Sequence, residues 1–249
     1  MSFLAALQFL TSIPLPWQRE VSPEQLGHST IYFPVVGLII GLILAGLNWL
    51  LSLILPSAVV NALLIVILVI ITGALHLDGF VDTCDGMVGH KTVAQRRRVM
   101  KDSRAGAFGI IGISCLLLVK YVTLNSVPDC WMVPTLLLMP VLSRWAMVYA
   151  VFAFPYARAT GLGRAFKREA SRLVFLVATI IALAIAVIPA EFAGLVIMFG
   201  VWVIVMAIAY YLKGRFGGLT GDSYGAINET AEVLVLILVC LLAQIGWLA

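Results

Sequence analysis

Residues 57–86 have the sequence SAVVNALLIVILVIITGALHLDGFVDTCDG, in which a long apolar run passes directly into a cluster of aspartates. The apolar part, residues 57–77, is as long as the roughly 20 residues that a helix needs to cross a hydrocarbon core. It is apolar on every side, whereas the strands of a membrane barrel alternate apolar and polar residues. The stretch therefore predicts a membrane-spanning helix that ends in an acidic motif.

The whole chain has the composition of a membrane protein. Of its 249 residues, 62% are hydrophobic and 11% are charged, whereas soluble domains carry about 25% charged residues. A water-soluble fold cannot bury so much apolar surface. We therefore predict an all-α, polytopic helical bundle in the lipid bilayer, with residues 1–249 forming a single membrane-embedded domain.

Apolar runs of sufficient length recur along the chain. The first 17 residues differ from them, because they have too few apolar residues before Pro14 to span and no positive charge before Arg19. They predict an interfacial or re-entrant helix rather than a signal peptide. We predict seven spanning helices, near residues 32–55, 57–77, 107–127, 131–153, 173–190, 192–212 and 231–248.

Lysines and arginines concentrate in alternate connections between the predicted spans. Three connections are basic, at residues 78–106, 154–172 and 213–230, and the three between them contain neither residue type. The positive-inside rule places the basic connections and the N-terminus in the cytoplasm. Because these charges lie in short loops, the net charge of +4 does not indicate nucleic-acid binding.

The acidic motif has the spacing of one helix face. Asp78, Asp82 and Asp85 fall at positions i, i+4 and i+7, so their like charges destabilise a helix unless a cation joins them. Hard oxygen ligands favour Mg²⁺, Mn²⁺ or Ca²⁺, and Mg²⁺ commonly links a few carboxylates to substrate phosphates. We predict a metal site formed by these three aspartates. The alternative is a solvated acidic loop at the membrane surface.

Two further segments carry polar groups suited to phosphate. Asp102, Ser103 and Arg104 supply a carboxylate, a hydroxyl and a guanidinium at the start of a predicted helix, and arginine suits bidentate phosphate binding. Residues 217–226, GGLTGDSYGA, predict a glycine-rich turn whose amides can hold a phosphate at a helix N-terminus. A capped helix start and a simple loop are the respective alternatives. The candidate contacts in the second segment are Thr220, Gly221 and Asp222.

Four charged residues lie in or near the apolar runs. Lys120 and Arg144 are placed deep in predicted spans, where a charge is costly and usually has a partner. They can pair with acidic groups or with substrate phosphates, and we favour phosphate. Glu229 and Glu232 follow Asp222 on the same side of the last helix, where they extend the metal site or bind a sugar hydroxyl.

The motifs together resemble a known family. HLDGFVDTCDG at 76–86, DSRAG at 102–106 and GGLTGDSYGA at 217–226 closely resemble the signature segments of the adenosylcobinamide-GDP ribazoletransferase (cobalamin synthase) family. Ser12 departs from the pattern, since many members have an arginine there. Supporting matches are Phe33-Pro34-Val35-Val36-Gly37, Lys120, Ser143-Arg144, Glu229 and Glu232.

The resemblance implies a Mg²⁺-dependent transferase of the cell inner membrane, with its active site facing the cytoplasm. Its substrates would be adenosylcobinamide-GDP and α-ribazole or α-ribazole 5′-phosphate, and GMP would be the leaving group. A ribose hydroxyl would attack the cobinamide-side phosphorus. The candidate catalytic residues are Asp82, Asp85 and Asp102, with Asp82 or Asp85 the candidate general base.

Two other functions remain open from the sequence. The acidic motif distantly resembles that of CDP-alcohol phosphotransferases, but the Ala-Arg after the first Asp-Gly pair is missing and the spacing to Asp102 is too long. A cation or metabolite transporter is the second alternative. It is disfavoured because the carboxylates gather near one surface, whereas transport sites usually lie near the bilayer midplane. The sequence does not settle the oligomeric state, and a homo-oligomer is one alternative.

Overall fold

The computed structural model describes residues 2–14, 21–89, 92–102 and 104–248, and within these ranges it contains helices but no strands. The all-α prediction is confirmed. The helices are α1 (Ser2–Leu10), α2 (Pro23–His28), a 3-10 turn (Ser29–Tyr32), α3 (Phe33–Leu51), α4 (Ser57–Thr72), α5 (Leu75–Met87), α6 (Val93–Val99), α7 (Ala107–Asn125), α8 (Asp129–Ala153), α9 (Leu162–Glu169), α10 (Arg172–Phe216) and α11 (Gly221–Gln244).

Several of these helices are long and apolar enough to cross a membrane. Among the described residues there are five such segments, or six if α4 and α5 count as one broken span. The prediction of a polytopic membrane bundle is confirmed, and the count of seven stays a prediction. The five segments are Pro23–Leu51, Ala107–Asn125, Asp129–Ala153, Arg172–Phe216 and Gly221–Gln244.

Helix α10 reverses direction near its middle. Glu191 has φ 47° and ψ −129°, which no helix contains. A Cβ atom on Gly194 would lie 2.2 Å from the carbonyl oxygen of Ala186, whereas residues eight apart in a straight helix are about 12 Å apart. The chain therefore folds back at Glu191, at the division that the sequence predicts between residues 190 and 192.

The predicted helix at residues 57–77 ends earlier than expected. Gly73 and Ala74 adopt left-handed backbone conformations, and α5 then leaves at 92° to α4. Ser12 completes the end of α4, because its hydroxyl donates to the carbonyl of Ile70 at 2.6 Å. The acidic motif consequently lies on a separate short helix, α5, rather than at the end of a spanning helix.

Helix α8 forms the centre of the bundle and packs against α3, α10 and α11. Its contact with α3 is close because Gly37 and Gly41 face its backbone, where Cβ atoms would lie 2.4 Å from the oxygen of Pro140 and 2.8 Å from that of Leu136. Small residues commonly allow membrane helices to approach in this way.

Three cations of the basic connections bind helix C-termini. Arg96 donates to a carbonyl in the last turn of α5 (3.1 Å), and Arg97 donates to the last carbonyl of α10 (2.8 Å). Lys167 donates to two carbonyls in the last turn of α8 (2.8 and 3.0 Å). Positive charge stabilises the unpaired carbonyls and the negative end of the helix dipole. These residues therefore have a structural role beyond the topology that the sequence predicts from them.

Candidate active site

Two glycines bring the acidic motif against the start of α11. A Cβ on Gly79 would lie 2.8 Å from the carbonyl oxygen of Asp222, and a Cβ on Gly225 would lie 2.9 Å from that of His76. Helices α5 and α11 can therefore pack backbone to backbone. As a result, the carboxylate of Asp82 is close enough to Asp78 and Asp222 to interact electrostatically with both. The structure thus brings together the acidic motif and the glycine-rich segment, which lie far apart in the sequence.

The carboxylates of Asp78 and Asp82 are open. Asp78 is exposed and Asp82 is partly buried. Within the described ranges, no hydrogen bond or ion pair holds either carboxylate, whereas Asp222 is held by Arg158. The two aspartates are therefore available to a cation, a substrate or a proton.

Asp85 has different surroundings. The backbone N–H of Gly106 donates to its Oδ2 at 2.7 Å, and that of Gly109 donates to its Oδ1 at 2.8 Å. These amides belong to the N-terminus of α7, which lacks intrahelical partners and favours negative charge. Asp85 is thus a cap that ties α5 to α7. Each oxygen keeps a second lone pair, so the role of Asp85 as a metal ligand or general base stays a prediction.

Asp222 is held by a residue from the connection after α8. Two backbone hydrogen bonds, of 2.7 and 2.8 Å, join residues 155–157 to Leu219. Gly218 permits this approach, since it has φ 130° and a Cβ there would lie 2.9 Å from a carbonyl oxygen of that connection. Arg158 is then positioned so that its Nη2 lies 2.7 Å from Oδ2 of Asp222.

Arg158 is the functional candidate that sequence reasoning missed. It is one of five basic residues in the connection 154–172, and nothing in the local sequence separates it from the others. Its position beside Asp222 depends on the backbone contact between residues 155–157 and Leu219, which is far away along the chain.

The other residues predicted in the glycine-rich turn have mixed surroundings. The hydroxyl of Thr220 is buried and accepts the N–H of Ser223 at 3.1 Å, so it caps α11. Gly221 is exposed and has open space where a side chain would be. Of the two, Gly221 is therefore better placed to meet a ligand.

Asp102 and Arg104 form an exposed pair on their own loop. Arg104 donates to both oxygens of Asp102, at 3.1 and 3.0 Å. These hydrogen bonds hold the pKa of Asp102 below its usual value. A carboxylate with a lowered pKa is a weaker base, which argues against Asp102 as the proton acceptor. Ser103, predicted between them, lies outside the described residues.

A buried ion network lies between α7, α8 and α11. Lys120 Nζ is 2.8 Å from Glu229 Oε2 and 2.7 Å from Glu232 Oε2. Arg144 contacts Glu232 and donates to the hydroxyl of Ser143 at 2.9 Å. All four ionised side chains are at most 5% exposed. Lys120, Arg144 and Glu229 therefore pair with acidic or basic neighbours, which is the alternative to the predicted substrate contact.

A cavity of about 250 Å³ adjoins the acidic motif. Asp78, Asp222 and Arg158 lie along it, and aromatic residues from α1, α3 and α9 form part of its wall. Asp78 thus lies at the edge of a space large enough for part of a substrate.

Residues 2–240 match the family model for cobalamin-5-phosphate synthase. The chain belongs to this family.

Curated relatives agree with that match over nearly the whole chain. Three of those that are named adenosylcobinamide-GDP ribazoletransferase serve as examples. The relative from Roseiflexus sp. (strain RS-1) is 37% identical, covering 98% of this chain and 91% of its own. That from Geotalea daltonii is 37% identical, covering 94% and 95%, and that from Desulfitobacterium hafniense is 38% identical, covering 93% of each. No solved structure matches.

Few of the described side chains in this member of the cobalamin-5-phosphate synthase family are arranged as potential metal ligands. In the part of the chain that the structure describes, no three His, Cys, Asp or Glu residues are arranged to hold a metal ion. Mg²⁺, however, is usually bound by one or two carboxylates together with substrate phosphates and water. The open carboxylates of Asp78 and Asp82 fit that donor set.

Proposed function

We propose that the protein is a membrane transferase that joins adenosylcobinamide-GDP to α-ribazole or α-ribazole 5′-phosphate and releases GMP. The proposal draws on family membership and on relatives that carry this activity in their names. The structural observation that carries it is the open pair Asp78 and Asp82 near the Asp222–Arg158 ion pair. Asp78, Asp222 and Arg158 line a cavity.

The reaction needs a proton acceptor and positive charge at the phosphates. A ribose hydroxyl oxygen forms a bond to the cobinamide-side phosphorus, and the bond from that phosphorus to the GMP oxygen breaks. Asp82 is our candidate for receiving the hydroxyl proton, because Asp85 and Asp102 are already engaged. We propose that Arg158, which lines the cavity together with Asp78, offsets the negative charge that develops on departing GMP.

Mg²⁺ is the cofactor that we propose. Asp78 and Asp82 would hold it, with Asp82 not fully engaged by the metal and so able to accept the proton. When bound, Mg²⁺ would neutralise charge on the pyrophosphate. The chain's own residues would orient the substrates around these carboxylates. Asp222 is close enough to interact with both electrostatically, but Arg158 already binds it.

We place the protein in the cell inner membrane with this site facing the cytoplasm. Arg96, Arg97 and Lys167 support this orientation, because they come from basic connections and bind the ends of α5, α10 and α8. Positive residues flanking membrane segments are retained on the cytoplasmic side.

The activity can be tested with purified protein in detergent or lipid nanodiscs, given adenosylcobinamide-GDP, α-ribazole and Mg²⁺. We expect GMP and a cobalamin product in equal amounts. A parallel reaction contains a CDP-activated lipid alcohol and no corrinoid. CMP release in that reaction, with no GMP in the first, would instead identify a CDP-alcohol phosphotransferase, and no covalent product in either would leave transport as the alternative.

A further inference from the structure

An apolar groove lies behind the helix that carries the acidic motif. Helices α5 and α10 both pack against α11, and all three helices line the groove. Its volume is about 410 Å³, and its lining is almost entirely apolar. The groove can therefore accommodate a flexible apolar chain.

The groove is formed in part by the face of α5 that points away from the aspartates. Phe80, Cys84 and Met87 line it and fall at positions i, i+4 and i+7 of the helix. At 3.6 residues per turn, they lie on the side opposite the three aspartates. All three side chains are only partly buried. An apolar ligand in the groove would cover this face and support α5 from behind.

The groove opens on the outer surface of α10. Ala207 and Tyr211 line the groove and are exposed. Both belong to the second half of α10, which is apolar and long enough to cross a bilayer. The exposed surface of a membrane-spanning helix faces lipid chains. A lipid can therefore enter the groove from the membrane.

Two cations lie close to one end of the groove. The guanidinium of Arg215 lies 4.9 Å from the ring centroid of Tyr211, and Lys213 Nζ lies 5.7 Å from that of Tyr210. Arg215 and Lys213 are exposed, and neither forms an ion pair with any of the described residues. Tyrosines are common where a helix leaves the membrane, and basic residues there attract the phosphates of anionic lipids.

We propose that this groove binds an acyl chain of an anionic phospholipid, whose phosphate lies beside Arg215 and Lys213. The lipid matches both features, because its chain covers the apolar face of α5 and its phosphate neutralises the cations. A second copy of this protein, or a lipid without net charge, would leave the cations without a counter-charge. The lipid site is separate from the proposed substrate site, since it uses the other face of α5.

The headgroup assignment can be tested by native mass spectrometry of the full-length protein in detergent. Phosphatidylglycerol is the anionic probe and phosphatidylcholine is the neutral one. We expect tighter binding of phosphatidylglycerol, and we expect Lys213→Gln and Arg215→Gln each to weaken it about 5-fold. Arg172→Gln is the matched control, since Arg172 is exposed at the other end of α10 and does not line the groove. Equal affinity for the two lipids, or an equal loss in the control, would overturn the assignment.

The position of the acyl chain needs a variant that keeps every charge. Ala207→Phe fills the groove at an exposed position, so we expect it to weaken phosphatidylglycerol binding about 10-fold or more. Ala184→Phe is the matched control, because Ala184 is also exposed on α10 but lies outside the groove. Hydrogen exchange of residues 80–87 should slow when phosphatidylglycerol binds to the wild type and to Ala184→Phe, but not to Ala207→Phe.

Three results would overturn the groove assignment. Normal lipid binding by Ala207→Phe would place the acyl chain elsewhere, and unchanged hydrogen exchange in the wild type would show that the lipid does not contact α5. A dimer that Ala207→Phe dissociates would identify a second copy of the protein as the occupant. Because these measurements need no substrate, their outcome is independent of the proposed transferase activity.

Discussion

The three aspartates of α5 share one helix face but have different surroundings. Asp82 is partly buried beside other carboxylates and has no hydrogen-bond donor within the described residues. Its carboxylate is therefore available to bind a cation or to accept a proton. We expect Asp82→Asn to lower activity at least about 100-fold, because it removes a ligand charge and a base at constant size. The melting temperature should not fall, since one like charge is removed. Initial rates over a Mg²⁺ titration and thermal melting test this, and near-normal turnover at limiting Mg²⁺ would contradict it.

Asp85→Asn is expected to lower the stability of the protein more than its activity. An amide keeps one acceptor oxygen but presents an NH₂ group to one of the two backbone N–H donors at the start of α7. Loss of a helix cap costs about 0.5–2 kcal/mol, so the melting temperature should fall while the folded fraction keeps most of its activity. If the Asp85→Asn protein has normal stability but no activity, the result would support the catalytic role that the sequence predicts for Asp85.

The buried ion network leads to a prediction about stability. Glu232 binds both Lys120 and Arg144, so Glu232→Gln leaves a buried guanidinium without its counter-charge. Such a loss costs about 3–5 kcal/mol, and expression and melting temperature should fall sharply. The double change Lys120→Met with Glu229→Gln removes one charge of each sign and should cost less. If Glu232→Gln keeps normal stability and only raises KM for adenosylcobinamide-GDP, the network binds substrate instead.

At the scale of elements, the contact between α5 and α11 sets the geometry of the site. Gly79→Ala would place a Cβ 2.8 Å from the carbonyl oxygen of Asp222 and push the helices apart. We expect activity to fall about 10-fold or more, with a lower melting temperature. Gly214→Ala is the matched control, because a Cβ there meets nothing within 4 Å. Equal activity and equal melting temperature of the two variants would show that close packing of α5 against α11 is not required.

The sequence could predict the helices better than their bends and contacts. Apolar length identifies the spans because a bilayer sets a minimum length, and the break near Glu191 was expected because the predicted spans divide between residues 190 and 192. The turn at Gly73 was not expected, since hydrophobicity continues through it to Leu77. The cap by Asp85 and the pairing of Arg158 with Asp222 were also missed, because both join segments distant along the chain.

We expect the whole molecule to adopt a single orientation in the membrane. We expect tags inserted in residues 87–101, 158–170 and 213–216 to be accessible only from the cytoplasm, because these connections hold most of the basic residues. Labelling with a membrane-impermeant reagent in intact and permeabilised cells measures this. A tag after residue 128, in a connection without lysine or arginine, is the control and should be labelled from outside. Labelling of a basic connection in intact cells would contradict the orientation.

We expect the open carboxylates to lie on the cytoplasmic side and to support formation of a phosphodiester between the two substrates with release of GMP. The most direct measurement supplies adenosylcobinamide-GDP, α-ribazole 5′-phosphate and Mg²⁺ to sealed inside-out vesicles that contain either the wild-type protein or Asp82→Asn. We expect equal amounts of GMP and cobalamin phosphate from the wild type without permeabilisation, and almost none from Asp82→Asn at equal protein level. Equal product from both proteins, or product only after the vesicles are opened, would contradict it.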